Sequence, residues 1–246
     1  MRPLSAYTRV GAVLLIAGIV ATPVFYVVAG SVPLTALALS AILLGGIALL
    51  LDRSLPAVPP QAAALLLEAG LDNLSSLLEE LGVDAKAIYL PASLAGGKPR
   101  ALIPLHSNAV RPEITRALPQ RLLVEFGPNP DDVGLLVATP GTTARRFLEG
   151  SPGSTSAELE AALARVLIGA LDLATSVQVA QETGTVAVNI AGIRLADQDV
   201  WVYRSLGTPI ASIVAALVAE GISAPVTIRS EEHAADRATV LLEVLR

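Results

Sequence analysis

Few residues in this chain have both the type and the spacing to do chemistry. Residues 138–143, Ala-Thr-Pro-Gly-Thr-Thr, close a strand-like run and are followed by Arg145 and Arg146. A strand-to-helix junction of this kind offers free backbone N–H groups and the positive end of a helix, which together can hold a phosphate or carboxylate. Thr139, Gly141, Thr142, Thr143 and Arg145 are therefore the candidate ligand-binding residues, for a small anion or metabolite. Helix capping with solvated arginines accounts for the same residues. The Gly-Lys-Ser/Thr ending of a phosphate-binding loop is missing.

The acid–base candidates are Asp197 and Asp199, flanked by Arg194 and Arg204, together with His106. Two nearby carboxylates can divide acid and base roles if their environments differ, but a solvated loop with local ion pairs gives the same pattern. His106 and His233 are the two histidines, and neither has the His-x-x-x-His spacing of a metal site. The chain has no cysteine, which removes disulfides, thiolate metal sites and cysteine nucleophiles. No Gly-x-Ser-x-Gly nucleophile pattern occurs. No catalytic residue, metal or cofactor is expected.

The elements that must position these residues follow from periodicity. Residues 61–81 carry Leu67, Leu71, Leu74, Leu78 and Leu81 at helical spacing, and Gly82 ends the helix. Its wide apolar face suits burial on a core better than a coiled coil. Residues 87–92 and 100–106 predict a hairpin, with His106 ending its second strand. Residues 122–126 and 133–139 predict two more strands, followed by a short helix over 144–149. Thr155 and Glu158 form a capping box for a helix reaching about residue 174. Residues 176–182 and 185–193 flank Thr183-Gly184 as another hairpin. Thr208-Pro209 caps a helix to about Glu220, closed by Gly221. Residues 224–229 and 238–245 finish the chain as strands joined by a charged loop over 230–237. Successive hairpins predict an α+β fold with a mainly antiparallel sheet and helices packed on it. Trp201, the single tryptophan, is expected in the core.

Ahead of this domain, residues 10–30 and 34–51 are free of charge, separated by Gly30-Ser31-Val32-Pro33. Each run is long enough to cross a hydrocarbon layer of about 30 Å. A second span so close behind the first argues against a cleaved signal peptide. Pro23 should bend the first helix, with Thr22 placed to satisfy a freed carbonyl. Gly11 and Gly18 are seven apart, as are Ala38 and Gly45, so each helix presents a small-residue stripe for packing. Arg2, Arg9 and Arg53 flank the spans and the turn has no basic residue, which places both ends and the domain in the cytoplasm. The Asn73-Leu74-Ser75 sequon is then idle.

The organisation expected is a transmembrane hairpin over 1–54, a proline-rich linker over 55–60 and a soluble α+β domain over 61–246, with a sub-boundary near 150–154. The net charge is −5, and the acidic remainder argues against a nucleic-acid partner. Arginine over lysine, with scarce Asn, Gln and Met, hints at a thermophilic source.

The order of hairpin, leucine-rich helix, Ile88-Tyr89-Leu90-Pro91, Ala101-Leu102-Ile103-Pro104, residues 134–141 and residues 206–212 resembles a group of uncharacterised archaeal membrane-anchored proteins. The resemblance implies that layout and an archaeal context, and no activity. Taken together, the expectation is a membrane-tethered cytoplasmic binding or assembly module without catalysis of its own. Its partners are the lipid bilayer and either further copies of itself or a membrane complex. A sensor at 139–143 and an enzyme using Asp197, Asp199 or His106 are the alternatives.

Overall fold

The computed structural model describes residues 6–54, 60–106, 114, 116–195, 200–234 and 236–245. It divides into two compact units, Met1–Leu67 and Glu68–Arg246.

The first unit is built on two long apolar helices, α1 (Ala6–Pro23) and α2 (Val32–Ser54). Beyond Pro23, which has no N–H to give, α1 does not end but widens into a π-helical turn over Val24–Val28. The Thr22 hydroxyl donates to the Gly18 carbonyl at 2.7 Å, one residue short of the Ile19 carbonyl that Pro23 leaves unserved. Both helices are long and apolar enough to cross a membrane, and only 11% of each is buried within the structure.

The second unit starts within α3 (Pro60–Glu80). Gly82, at φ +64°, turns the chain, and the Val83 N–H returns to the Leu78 carbonyl at 3.0 Å, so that Leu78 and Val83 enter the core together. The strands that follow are β1 (Ile88–Leu90), β2 (Arg100–Pro104), β3 (Leu123–Glu125) and β4 (Val133–Val137). Next come α4 (Pro140–Ala144), with a 3-10 turn over Arg145–Phe147, and α5 (Ser156–Ala164), prolonged as a π-helical stretch over Arg165–Ala170. β5 (Ser176–Glu182) and β6 (Thr185–Ala191) form the tight hairpin at Gly184, φ +83°. The short α6 (Tyr203–Leu206), α7 (Pro209–Ile222), β7 (Val226–Ala234) and β8 (Arg237–Val244) complete the chain.

Among the described residues, the eight strands join one sheet in the order β3-β4-β2-β1-β7-β8-β6-β5, and every neighbouring pair is antiparallel. The fold is α+β. Tyr89, Ile103, Val137, Val188, Val226 and Val240 point to one face, where α7 and α5 cover them in the main core. α7 is buried along nearly its whole length. The opposite face is covered unevenly. Ile88, Leu90, Leu102, Val124 and Leu136 lie under Ala95, Ile114 and Leu118, so the β1–β4 half has a second, smaller core. No buried apolar cluster forms on that face over β5, β6 and β8 among the described residues. The halves meet at a short seam, Ile88↔Thr227 and Tyr89↔Val226. The inner hairpin comes first in one half and last in the other, so the sheet has two similar ends without a repeated chain order.

Three expectations need correcting. The helix placed over 144–149 begins at Pro140, because Thr139 stops the strand and the Thr142 hydroxyl accepts its N–H at 3.0 Å. The charged loop expected over 230–237 is strand almost throughout: Glu231 faces Val240 and Glu232 faces Thr239, so charge there reflects exposure and not a break in pairing. Gly221 does not close α7, which ends at Ser223, φ 56°. A Cβ on Gly221 would lie 2.3 Å from the Gly153 carbonyl oxygen, so glycine is there to let the preceding loop approach.

Candidate functional site

The strand-to-helix junction is built from the C-terminal end of β4 and the first turn of α4. Gly141 packs directly on α7: a Cβ at that position would stand 2.4 Å from the Ala216 Cβ and 2.5 Å from the Ser212 carbonyl oxygen. Close helix approach is thus what the glycine serves. Arg145 turns inward, its Nε 3.5 Å from Glu220 Oε1 and its Nη1 donating to the Leu148 carbonyl at 3.0 Å. The other Glu220 oxygen accepts the Ala92 N–H at 2.7 Å. Glu220 therefore ties α7 to both the β1 loop and the turn after α4, and it answers the arginine that the sequence offers to an anion. Thr142 serves as the cap described above, while Thr143 is exposed.

A second polar constellation surrounds the N-terminus of α7. Thr208 caps the helix, its hydroxyl oxygen accepting the Ala211 N–H at 3.3 Å. Glu231 reaches across from β7, accepting the Thr208 N–H at 3.1 Å and the Thr208 hydroxyl. A carboxylate against a helix N-terminus is where the helix dipole favours it. His233 Nε2 lies 2.7 Å from the same carboxylate, on the same face of β7. The chemistry available here is limited by order. The carboxylate stands between hydroxyl and imidazole, whereas nucleophile activation needs the imidazole against the hydroxyl and the carboxylate behind it. Thr208 is held from both sides as a cap.

Beneath this group the Tyr89 hydroxyl donates to the Leu206 carbonyl, and the ring is fully buried. Burial drives its pKa well above the ordinary phenol value, a nearby Ser212 hydroxyl offsets part of the rise, and the Glu231 charge adds to it. Tyr89 is a neutral donor that locks β1 to the turn before α7. Sequence periodicity marked Thr208-Pro209 but not Glu231 or Tyr89, since their partners lie 23 and 117 residues away.

Among the described residues, the other sequence candidates are not drawn into either group. Asp197 and Asp199 lie outside the described residues. Arg194 pairs with Asp172. His106 is exposed just past β2, and Trp201 packs half-buried against the main core. Among the described residues no group of three or more His, Cys, Asp or Glu side chains could hold a metal ion. In the first unit Gly11, Gly18, Ala38 and Gly45 all lie on the α1–α2 seam. A Cβ on Gly18 would meet the Ala38 carbonyl oxygen at 2.8 Å, and one on Gly45 the Gly11 carbonyl oxygen at 2.8 Å.

Comparison with known families finds a match over residues 3–245 to DUF7982, a domain of unknown function. No curated protein and no solved structure matches the chain.

Proposed function

We propose, for a chain that belongs to the DUF7982 family and takes no activity from it, a membrane-tethered binding or assembly module that carries out no catalysis of its own. In this reading α1 and α2 span the bilayer as a hairpin and hold the α+β domain at the cytoplasmic surface, as the flanking Arg2, Arg9 and Arg53 direct. The module assembles with further copies or with a membrane complex. An archaeal, thermophilic setting belongs to the same reading, supported by motif likeness and by arginine-rich composition.

The observation that carries the proposal is the uneven covering of the sheet. Over β5, β6 and β8 the uncovered face presents rows of small and polar side chains: Gln178, Asn189 and Thr239 in one, Ala180, Ala187 and Leu241 in the next. The Thr239 hydroxyl donates to the Asn189 side-chain oxygen at 2.9 Å, so part of this surface is ordered in advance. Where the side chains are short, as at Ala180, Ala187 and Thr239, a second surface can cover the face with little side-chain entropy lost on contact.

The test is the state of the full chain purified in mild detergent. Co-purifying partners or a defined oligomer are expected, and Ala187→Arg, in the middle of the bare face, should release them while the thermal melt stays unchanged. A clean monomer without partners overturns the proposal. Protease added to sealed vesicles checks orientation, since digestion of the domain from outside would reverse it.

A further inference from the structure

One end of the second unit is basic, although the domain as a whole is acidic. Arg100 starts β2 opposite Leu90, and the neighbouring pair Ala101↔Val137 places the end of β4 beside it. The segment 116–121 is laid on the turn after β1: the Leu118 N–H donates to the Leu94 carbonyl at 2.7 Å, and the Gln120 amide donates to the Gly96 carbonyl. These contacts gather Lys98, Arg100, Arg116 and Arg121 at one end, and none makes an ion pair with a described residue. Arg100 Nε is buried without a hydrogen-bond partner. Arg116 and Arg121 border a groove of about 530 Å³ whose floor includes Leu118 and Val124 and whose single acid is Glu125.

Directly after Arg121, Leu122 and Leu123 are 58% and 56% exposed. The two leucines put apolar surface directly beside the cations. Beside guanidinium groups that have no ion pair among the described residues, they make the pattern of an interfacial membrane contact, with apolar side chains entering the headgroup layer and cations pairing with phosphates.

We propose that this end of the domain, Lys98, Arg100, Arg116 and Arg121 with Leu122 and Leu123, docks on the anionic headgroup surface of the bilayer. The inference rests on the hairpin acting as a tether, because tethering raises the effective concentration of a surface too weak to bind lipid alone. Charge complementarity selects the occupant: the cations have no partner in the described part of the protein, and a leaflet offers a continuous anionic plane together with an apolar layer for the leucines.

The chain lacks cysteine, so Ala117→Cys, at an exposed position among the arginines, carries a single dye. The labelled full-length chain is placed in nanodiscs of phosphatidylcholine alone, or of phosphatidylcholine with phosphatidylglycerol, both containing a headgroup quencher. Strong quenching is expected only in the anionic discs. Arg116→Gln with Arg121→Gln should shift the docked-to-free ratio roughly 25-fold, taking about five-fold for each charge. Arg116→Lys with Arg121→Lys should restore it, and raising salt on the unmutated surface should weaken it. Equal quenching in neutral discs, no quenching in anionic discs, or quenching that survives the glutamine pair overturns the docking. Alkaline carbonate separates the two readings. A chain it strips from vesicles fails as a tether, whereas one that stays embedded with an unquenched dye fails only as a docking surface.

Discussion

Two adjacent glycines of α2 provide a stringent test of the hairpin. A Cβ added to Gly45 would lie 2.7 Å from the Leu15 backbone nitrogen and 2.8 Å from the Gly11 carbonyl oxygen, whereas one added to Gly46 would meet nothing within 4 Å. The atoms obstructing Gly45 are backbone, so no rotamer change relieves them. Ordinary contact begins near 3.4 Å, and the helices must part locally by roughly 0.7 Å. A gap of that size forfeits about a quarter to a half of the dispersion energy of each contact across the seam. Summed over the pairs around Gly11, Leu15 and Gly45, the loss is about 1–3 kcal/mol, the usual range for overpacking. Gly46→Ala should change stability by less than about 0.5 kcal/mol. The assay is energy transfer between dyes at single cysteines replacing Val13 and Leu43, both lipid-facing in this reading, followed as sodium dodecyl sulfate is titrated into detergent micelles. Gly45→Ala should separate the helices at a distinctly lower denaturant fraction than Gly46→Ala. Coincident transitions for the two variants would refute the close-packed seam.

Two further predictions concern pH and the second unit. Tyr89 has a raised pKa in the folded state, so the unfolded chain loses its phenol proton first, and stability is complete below the ordinary value of 10.0 and declines as pH rises beyond it. Tyr89→Phe should flatten that alkaline decline, while at neutral pH it leaves the Leu206 carbonyl without its donor at a cost of about 1–3 kcal/mol; melts across alkaline pH check both. Glu158 has the opposite sign: the Thr155 N–H and hydroxyl and the Ser154 N–H hold its pKa down, so its contribution is present above the usual carboxylate range and is lost as pH falls through the lowered value. Glu158→Gln should remove that share of the acid-side decline, and an unchanged acid limb would show that the capping box contributes nothing measurable.

What could be read in advance was local. Thr155 with Glu158, Thr208 with Pro209, and Thr183-Gly184 each signal an element end through bonds spanning a few residues, and the structure places α5, α7 and the β5–β6 turn on them. Alternation along 185–191 likewise needed only the next residue but one. What stayed hidden was set across the sheet. Nothing near Glu231 announces that its carboxylate reaches Thr208, and nothing near Gly221 that the Gly153 carbonyl will press on it. The strand over 230–234 lacks an apolar alternation because its partners are a helix cap on one side and solvent on the other. The junction at Thr139–Arg145 shows both limits together: its turn chemistry was visible, but the packing of Gly141 on α7 and the hold of Glu220 on Arg145 come from a helix about 70 residues later.

Among the described residues, length and hydropathy alone find a third helical stretch fit to cross a membrane, Tyr203–Ile222, which covers α6 and α7. It is 72% buried, against 11% for each N-terminal helix, and the difference lies in what surrounds the apolar surface. α7 is apolar on every side because it has a neighbour on nearly every side: the sheet beneath it, α4 through Gly141 and the loop at Gly153. Its polar ends are held by Glu231 at Thr208 and by the Arg145–Glu220 pair. The N-terminal helices bury only their glycine seam and leave Val13, Val20, Leu37 and Leu43 uncovered, an area that water would penalise along both helices. An apolar helix with partners is a core, and one without them requires an apolar solvent. That contrast is the ground on which α1 and α2, and not α7, are proposed as membrane spans.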